Sequence, residues 1–147
     1  RSRAGKREMR GEGTGAREST GGMNMNQPIQ SYKDLVVWRK GLSLVKQVYP
    51  FTRSFPANEK CGLGSQLRRA AVSGPSNLAE GHARHTTGEF IQFISHAEGS
   101  LAELDTQVIL AVELGFCPPG EAEPLQAAIV EPQKMASALR RSLASRP

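Results

Sequence analysis

The segment from Gln66 to Arg84 reads QLRRAAVSGPSNLAEGHAR, and its interpretation decides the fold. Leu67, Ala70, Ala71 and Leu78 recur at helical spacing and give it an apolar side. Gly74-Pro75 then falls inside the pattern. Proline removes a backbone donor and crowds the preceding turn, so a kink is expected near residues 71–75. Ser76 or Asn77 is placed to re-cap the chain as it resumes towards Glu80, and Gly81 to end it. A helix that keeps so costly an interruption is held by packing on both sides.

Working outward, helical periodicity continues in both directions. Upstream, Ser31 and Asp34 have the spacing of a capping box, with Asp in the usual Glu position. A first helix is predicted from about Tyr32 to Tyr49, extending to Arg53 if Pro50 is tolerated. Leu35, Trp38, Leu42, Val45, Tyr49 and Thr52 step by threes and fours and read as the bundle seam. Val37, Leu44, Val48 and Phe51 form a second apolar stripe. Phe55-Pro56-Ala57-Asn58 is the connection, and the second helix is expected from Ala57 or Asn58 to Glu80.

Downstream, Thr86 or Thr87 caps a third helix, with Glu89 or Phe90 in its first turn. Phe90, Ile94, Ala97, Leu101, Leu104, Val108 and Ala111 form an unbroken seam, and Gly115 is the expected C-terminal cap. A fourth helix is expected over Glu121–Leu143, with Leu125, Ile129, Ala136, Leu139 and Leu143 inward. Pro124 suits its first turn, whereas Pro132 predicts a kink. No strand pattern appears. The fold class is therefore all-α, an antiparallel up-down four-helix bundle with a proline kink in helix 2. Residues 31–147 form the bundle domain. Residues 1–30, rich in Arg, Lys, Gly and Ser and poor in apolar residues, read as a disordered basic tail. With Met23 and Met25 just ahead of the first element, that tail reads as an extension from an upstream start, the alternative of smaller weight being a basic arm that touches nucleic acid.

The 147 residues carry a formal charge of +5, and 38% are hydrophobic. That balance permits an acidic partner. Cys61 and Cys117 lack metal or redox spacing and point to a reducing compartment. No apolar run is long enough to span a bilayer and no signal-peptide core is present, so a cytoplasmic location is expected, with no membrane partner.

Charge is also segregated. The first helix carries a basic edge of Arg39, Lys46 and Arg53 with Lys40 beside it, and the second begins with Arg68-Arg69. The third is acidic through Glu89, Glu98, Glu103, Asp105 and Glu113. The apolar surplus on helices 1 and 3 (Ile91, Phe93, Ile109 and Val112 on the latter) needs a cover. Opposite charges on two faces suggest a heterologous contact between copies that closes into a ring-shaped homo-oligomer.

Three stretches, SYKDLVVWRK at 31–40, SQLRRAAVSGPSNLAEG at 65–81 and EFIQFISHAEGSLAELDTQVILAVELGF at 89–116, resemble the bacterial four-helix-bundle proteins encoded by intervening sequences in large-subunit ribosomal RNA genes. The resemblance spans about residues 28–143. It implies a four-helix bundle and a homopentamer. It also implies kinship with the accessory protein of diversity-generating retroelements, a basic pentamer that binds nucleic acid and a reverse transcriptase. Gly74, Pro50 and Pro132 depart from the family pattern.

The candidate nucleic-acid-binding residues are Arg39, Lys40, Lys46, Arg68, Arg69 and Arg84. Cations on a rigid face neutralise phosphates and release counterions, giving backbone binding with little sequence preference, and RNA is the preferred ligand. For Arg68 and Arg69 the plainer alternative weighs slightly more, namely holding register or meeting Glu98, Glu103 and Asp105 of another copy. For Arg39, Lys40 and Lys46 the nucleic-acid reading weighs slightly more. His82, His85 and His96 lack the further ligands a metal needs. Glu80, Glu98 and Glu103 have no paired nucleophile or metal, and Gly62-Leu63-Gly64 lacks the residues of a phosphate loop. The sequence thus predicts a non-enzyme without a cofactor. The competing reading is a protein-interaction scaffold that recruits an enzyme such as a reverse transcriptase.

Overall fold

The structure is a computed structural model that describes residues 28–146. The tail expected over residues 1–30 lies outside the described residues except for 28–30. Four α-helices follow: α1, Val36–Arg53; α2, Leu63–His82; α3, Thr87–Glu113; and α4, Pro119–Ala144. Each packs on its neighbour in sequence and α4 closes against α1, with no close backbone approach across either diagonal among the described residues. Pairs such as Gly41 with Pro75 and Thr52 with Arg68, or Ser73 with Ser100 and Gly81 with Phe93, run in opposite order along the chain. The architecture is an antiparallel four-helix bundle.

Local signals set the helix ends. Ser31 and Asp34 form the expected capping box, but it caps a 3-10 turn over Tyr32–Asp34. Leu35 is extended, and α1 begins only at Val36. The second helix likewise starts later than predicted, because Ala57–Glu59 form a separate 3-10 turn. Thr86 and Glu89 make a reciprocal capping box on α3: Thr86 Oγ1 accepts from Glu89 N at 3.2 Å, and Glu89 Oε2 accepts from Thr86 N at 3.3 Å. At the far end Gly115 takes φ +73°. Its N–H donates to Val112 O and that of Phe116 to Ala111 O, which is a Schellman closure.

The helices continue through their prolines. α1 runs through Pro50, α2 through Pro75 and α4 through Pro124 and Pro132 without a break. Ser76 and Asn77 therefore cap nothing. Asn77 lies within α2, and its amide donates back to Ser73 O at 2.8 Å and Ser73 Oγ at 2.9 Å. The reason lies in packing. Pro75 is buried, and its ring faces Gly41 of α1 so closely that a Cβ at 41 would sit 3.2 Å from it. Pro132 is buried on α4 and lines the same region. Small residues and proline rings thus form a waist at which α1 and α2 approach.

On either side of the waist lie two apolar clusters. One joins Leu44, Val48, Phe51, Leu67, Leu104, Val108, Leu125 and Ile129. The other joins Leu35, Val37, Leu78, Ile94, Ala97 and Ala136. The seam predicted for α3 is the seam found, half-buried only at Phe90. The seam predicted for α1 is borne out at Leu35 and Thr52, which are buried, and corrected between them. Val37, Gly41, Leu44, Val48 and Phe51 face inward, while Leu42 and Tyr49 are exposed and Trp38 and Val45 half-buried. Only this rotation brings Gly41 against Pro75. The second apolar stripe on α1 is thereby enclosed within one chain, and the surplus that remains outside is Leu42 and Tyr49 on α1 and Ile109 and Leu110 on α3.

Candidate nucleic-acid interface

Helix α1 has an inward face centred on Leu44 and Val48, so residues on its far side are turned to solvent. Arg39, Lys46 and Arg53 recur every seventh residue along that exposed side. Tyr49 stands between Lys46, three residues before it, and Arg53, four after, and this spacing makes all three neighbours.

Helix α2 brings Arg68 and Arg69 to the same place. Thr52, fully buried at the α1–α2 contact, accepts a hydrogen bond from Arg68 Nε at 2.9 Å, and its own hydroxyl donates to Tyr49 O at 3.0 Å. The Arg68 guanidinium so held lies over the Tyr49 ring, 5.2 Å from its centroid. Arg69 is exposed beside it. Tyr49, Arg68 and Arg69 line an open depression of about 790 Å³ across the outer side of α2, which reaches Glu103 on α3.

The structure therefore divides the predicted residues. Arg68 and Arg69 line one depression with Tyr49, Lys46 lies one turn before that ring on the exposed side of α1, and Arg39 continues the line along α1. Lys46, Arg53, Arg68 and Arg69 have no carboxylate within ion-pair distance among the described residues. Lys40 is placed elsewhere: it turns to the opposite flank of α1 and pairs with Glu131 of α4 at 3.3 Å. Arg84 is at the other end of α2, paired with Glu80 at 2.8 Å and stacked over Phe93 at 5.0 Å. Tyr49 belongs to the cluster, yet sequence periodicity assigned it to the core. Its helical neighbours Lys46 and Arg53 were the signal that pointed outward.

The acidic residues of α3 are partly engaged within the chain. Glu98 binds Arg140 of α4 through Nε, with a second contact from Nη2 at 3.4 Å, and this carboxylate holds the Arg140 guanidinium above its already high value. Glu103 accepts from Gln107 Nε2 at 3.0 Å. Two of the three histidines make aromatic contacts: His82 stands edge-on to Phe90 and His96 to Phe93. No group of metal-ligating side chains is gathered among the described residues. Cys117 is buried, and that burial, followed by the charge of Glu121, pushes its thiol upward, while Cys61 is exposed. No helix among the described residues is long and apolar enough to cross a membrane.

A family model described as 23S rRNA-intervening sequence protein matches residues 33–138, which takes in all of α1, α2 and α3 and most of α4. The chain belongs to this family. Among solved structures, the intervening-sequence chain resembles a protein of unknown function from the S23 ribosomal protein family of Bacteroides thetaiotaomicron, with a TM-score of 0.65 and 18% identity. That similarity covers 71% of this chain and 98% of the other. At that identity it speaks for the shared bundle alone. No curated protein matches the chain. Membership accounts for the helices and their order; the cation cluster has to be argued from its own geometry.

Proposed function

We propose that this protein is a non-enzymatic bundle that binds nucleic acid, and specifically RNA, through backbone phosphates. The observation that carries this reading is the grouping of Lys46, Arg53, Arg68 and Arg69 on one rigid face, without carboxylate partners among the described residues. Cations that already have partners gain little from a phosphate; cations that lack them release its counterions. Arg39 extends the face by two turns. Lys40 and Arg84, each engaged by a glutamate, contribute less.

The test is RNA binding followed as a function of salt. With four phosphate contacts at about −0.7 each for a single strand, the log–log slope is near −3. Reversing Lys46 and Arg69 to Glu flattens the slope by more than one and leaves the helical signal intact. No binding at low salt refutes the proposal.

A second reading, a scaffold that meets a protein partner, is favoured by the outer side of α3. Ile109, Leu110 and Leu114 are exposed there, Leu114 to 59%. In this reading the partner is an enzyme such as a reverse transcriptase, or further copies of the chain in a ring of five. Light scattering distinguishes them: a monomer at micromolar concentration removes the ring, and Leu110→Asp then tests the remaining surface against an enzyme partner.

A further inference from the structure

Tyr49 belongs to neither apolar cluster. It is a large ring, 40% exposed, on the outer side of α1, and Val72, which lines the same groove, is exposed as well. Lys46 and Arg53 are its neighbours on α1 by helical spacing, and Arg68 and Arg69 of α2 line the same depression. One of them, Arg68, is fixed: its Nε is bonded to the buried Thr52, and its guanidinium covers the ring at 5.2 Å. A planar cation preset beside an aromatic ring is a surface on which a nucleobase stacks with little further ordering.

We propose that Tyr49 and Arg68 form a stacking platform for an unpaired base, so that the ligand class is single-stranded nucleic acid. This rests on the reading of the surface as a phosphate-binding face, and it adds what that reading leaves open. Phosphate contacts alone accept duplex and single strand alike. A duplex turns its base faces inward and offers the ring nothing, whereas a single strand presents both a base face to Tyr49 and phosphates to Lys46, Arg53 and Arg69. The depression of about 790 Å³ has room for such a strand and is open along its length. Glu103 at its far side repels phosphate, so the strand keeps to the α1 side of the depression.

The experiment is fluorescence anisotropy on the full chain, with a short labelled single strand and the same sequence as a duplex. The single strand is expected to bind more tightly. Tyr49→Ala weakens it about tenfold, within the range of one lost base–aromatic stack, and leaves duplex affinity and the salt slope unchanged. Tyr49→Phe keeps the ring and keeps the affinity. A fluorescent adenine analogue in the strand is quenched by the wild type and by Tyr49→Phe but not by Tyr49→Ala. The inference is overturned if Tyr49→Ala leaves single-strand affinity unchanged, or lowers single-strand and duplex affinity equally. It is also overturned if that variant changes the mass in solution, which would make Tyr49 part of a contact between copies. Silence of Tyr49→Ala in a protein that still binds with a normal salt slope removes only the platform. Absence of any binding by the wild type removes the phosphate reading with it.

Discussion

Gly81 offers the sharpest physical test of how α2 and α3 are packed. It is buried in the last turn of α2, and a Cβ added there would lie 2.5 Å from Phe93 Cβ and 3.1 Å from Phe90 Cδ2. The nearer atom is fixed to the α3 backbone and cannot rotate away. Gly81→Ala removes a helix-interior glycine, which alone favours the helix by about 1 kcal/mol. Against this stands overpacking, which in tight cores costs about 1–3 kcal/mol, with this site at the upper end because the helices themselves must part. The expected net loss is about 2 kcal/mol, or a fall in Tm of roughly 8 °C for a domain of this size. Gly99 is the control. It is also helical, on α3, exposed, and nothing lies within 4 Å of its missing Cβ. Gly99→Ala is expected to raise stability by about 1 kcal/mol, hence Tm by about 4 °C. Thermal melts followed by circular dichroism at one protein concentration compare the two directly. A Gly81→Ala protein that melts at or above the wild type would refute the claim that backbone proximity, and not side-chain fit, holds this contact.

Three further outcomes are expected. Ser100→Ala removes the 2.8 Å bond to Ser73 inside the α2–α3 contact and costs about 1 kcal/mol, read from urea unfolding with an unchanged m value. Maleimide labels the exposed Cys61 first and reaches Cys117 only after unfolding, which mass spectrometry of partly labelled protein resolves. Stability falls as pH rises past the ordinary thiol range. The folded Cys117 holds its proton to higher pH than the unfolded chain does, so the unfolded state binds fewer protons there. Cys117→Ala flattens the alkaline limb of a stability–pH curve, and an unaltered limb contradicts the assignment.

Much of this protein was legible in the order of its residues. Thr86 or Thr87 announced the start of α3, Gly115 its end, and the heptads between them its inner face. Each is a local device whose meaning depends on residues within one or two turns. The candidate site was legible only in part. Lys46, Arg68 and Arg69 could be named from composition and spacing, but nothing in the sequence said that they share one surface or that Lys40 and Arg84 do not.

The rest depended on neighbours distant in the chain. α1 carries two apolar stripes of similar strength, and periodicity alone cannot choose between them. In the structure Gly41, against which the Pro75 ring packs, falls on the stripe that faces inward, and Tyr49 is turned outward. The prolines follow the same logic. Their local cost predicts interruption, yet burial of Pro75 and Pro132 at the waist keeps α2 and α4 continuous. The chain alone determined which segments are helical and, for α3, where the helix begins and ends. Which face of each helix became surface was decided only by the close approach of one helix to the next.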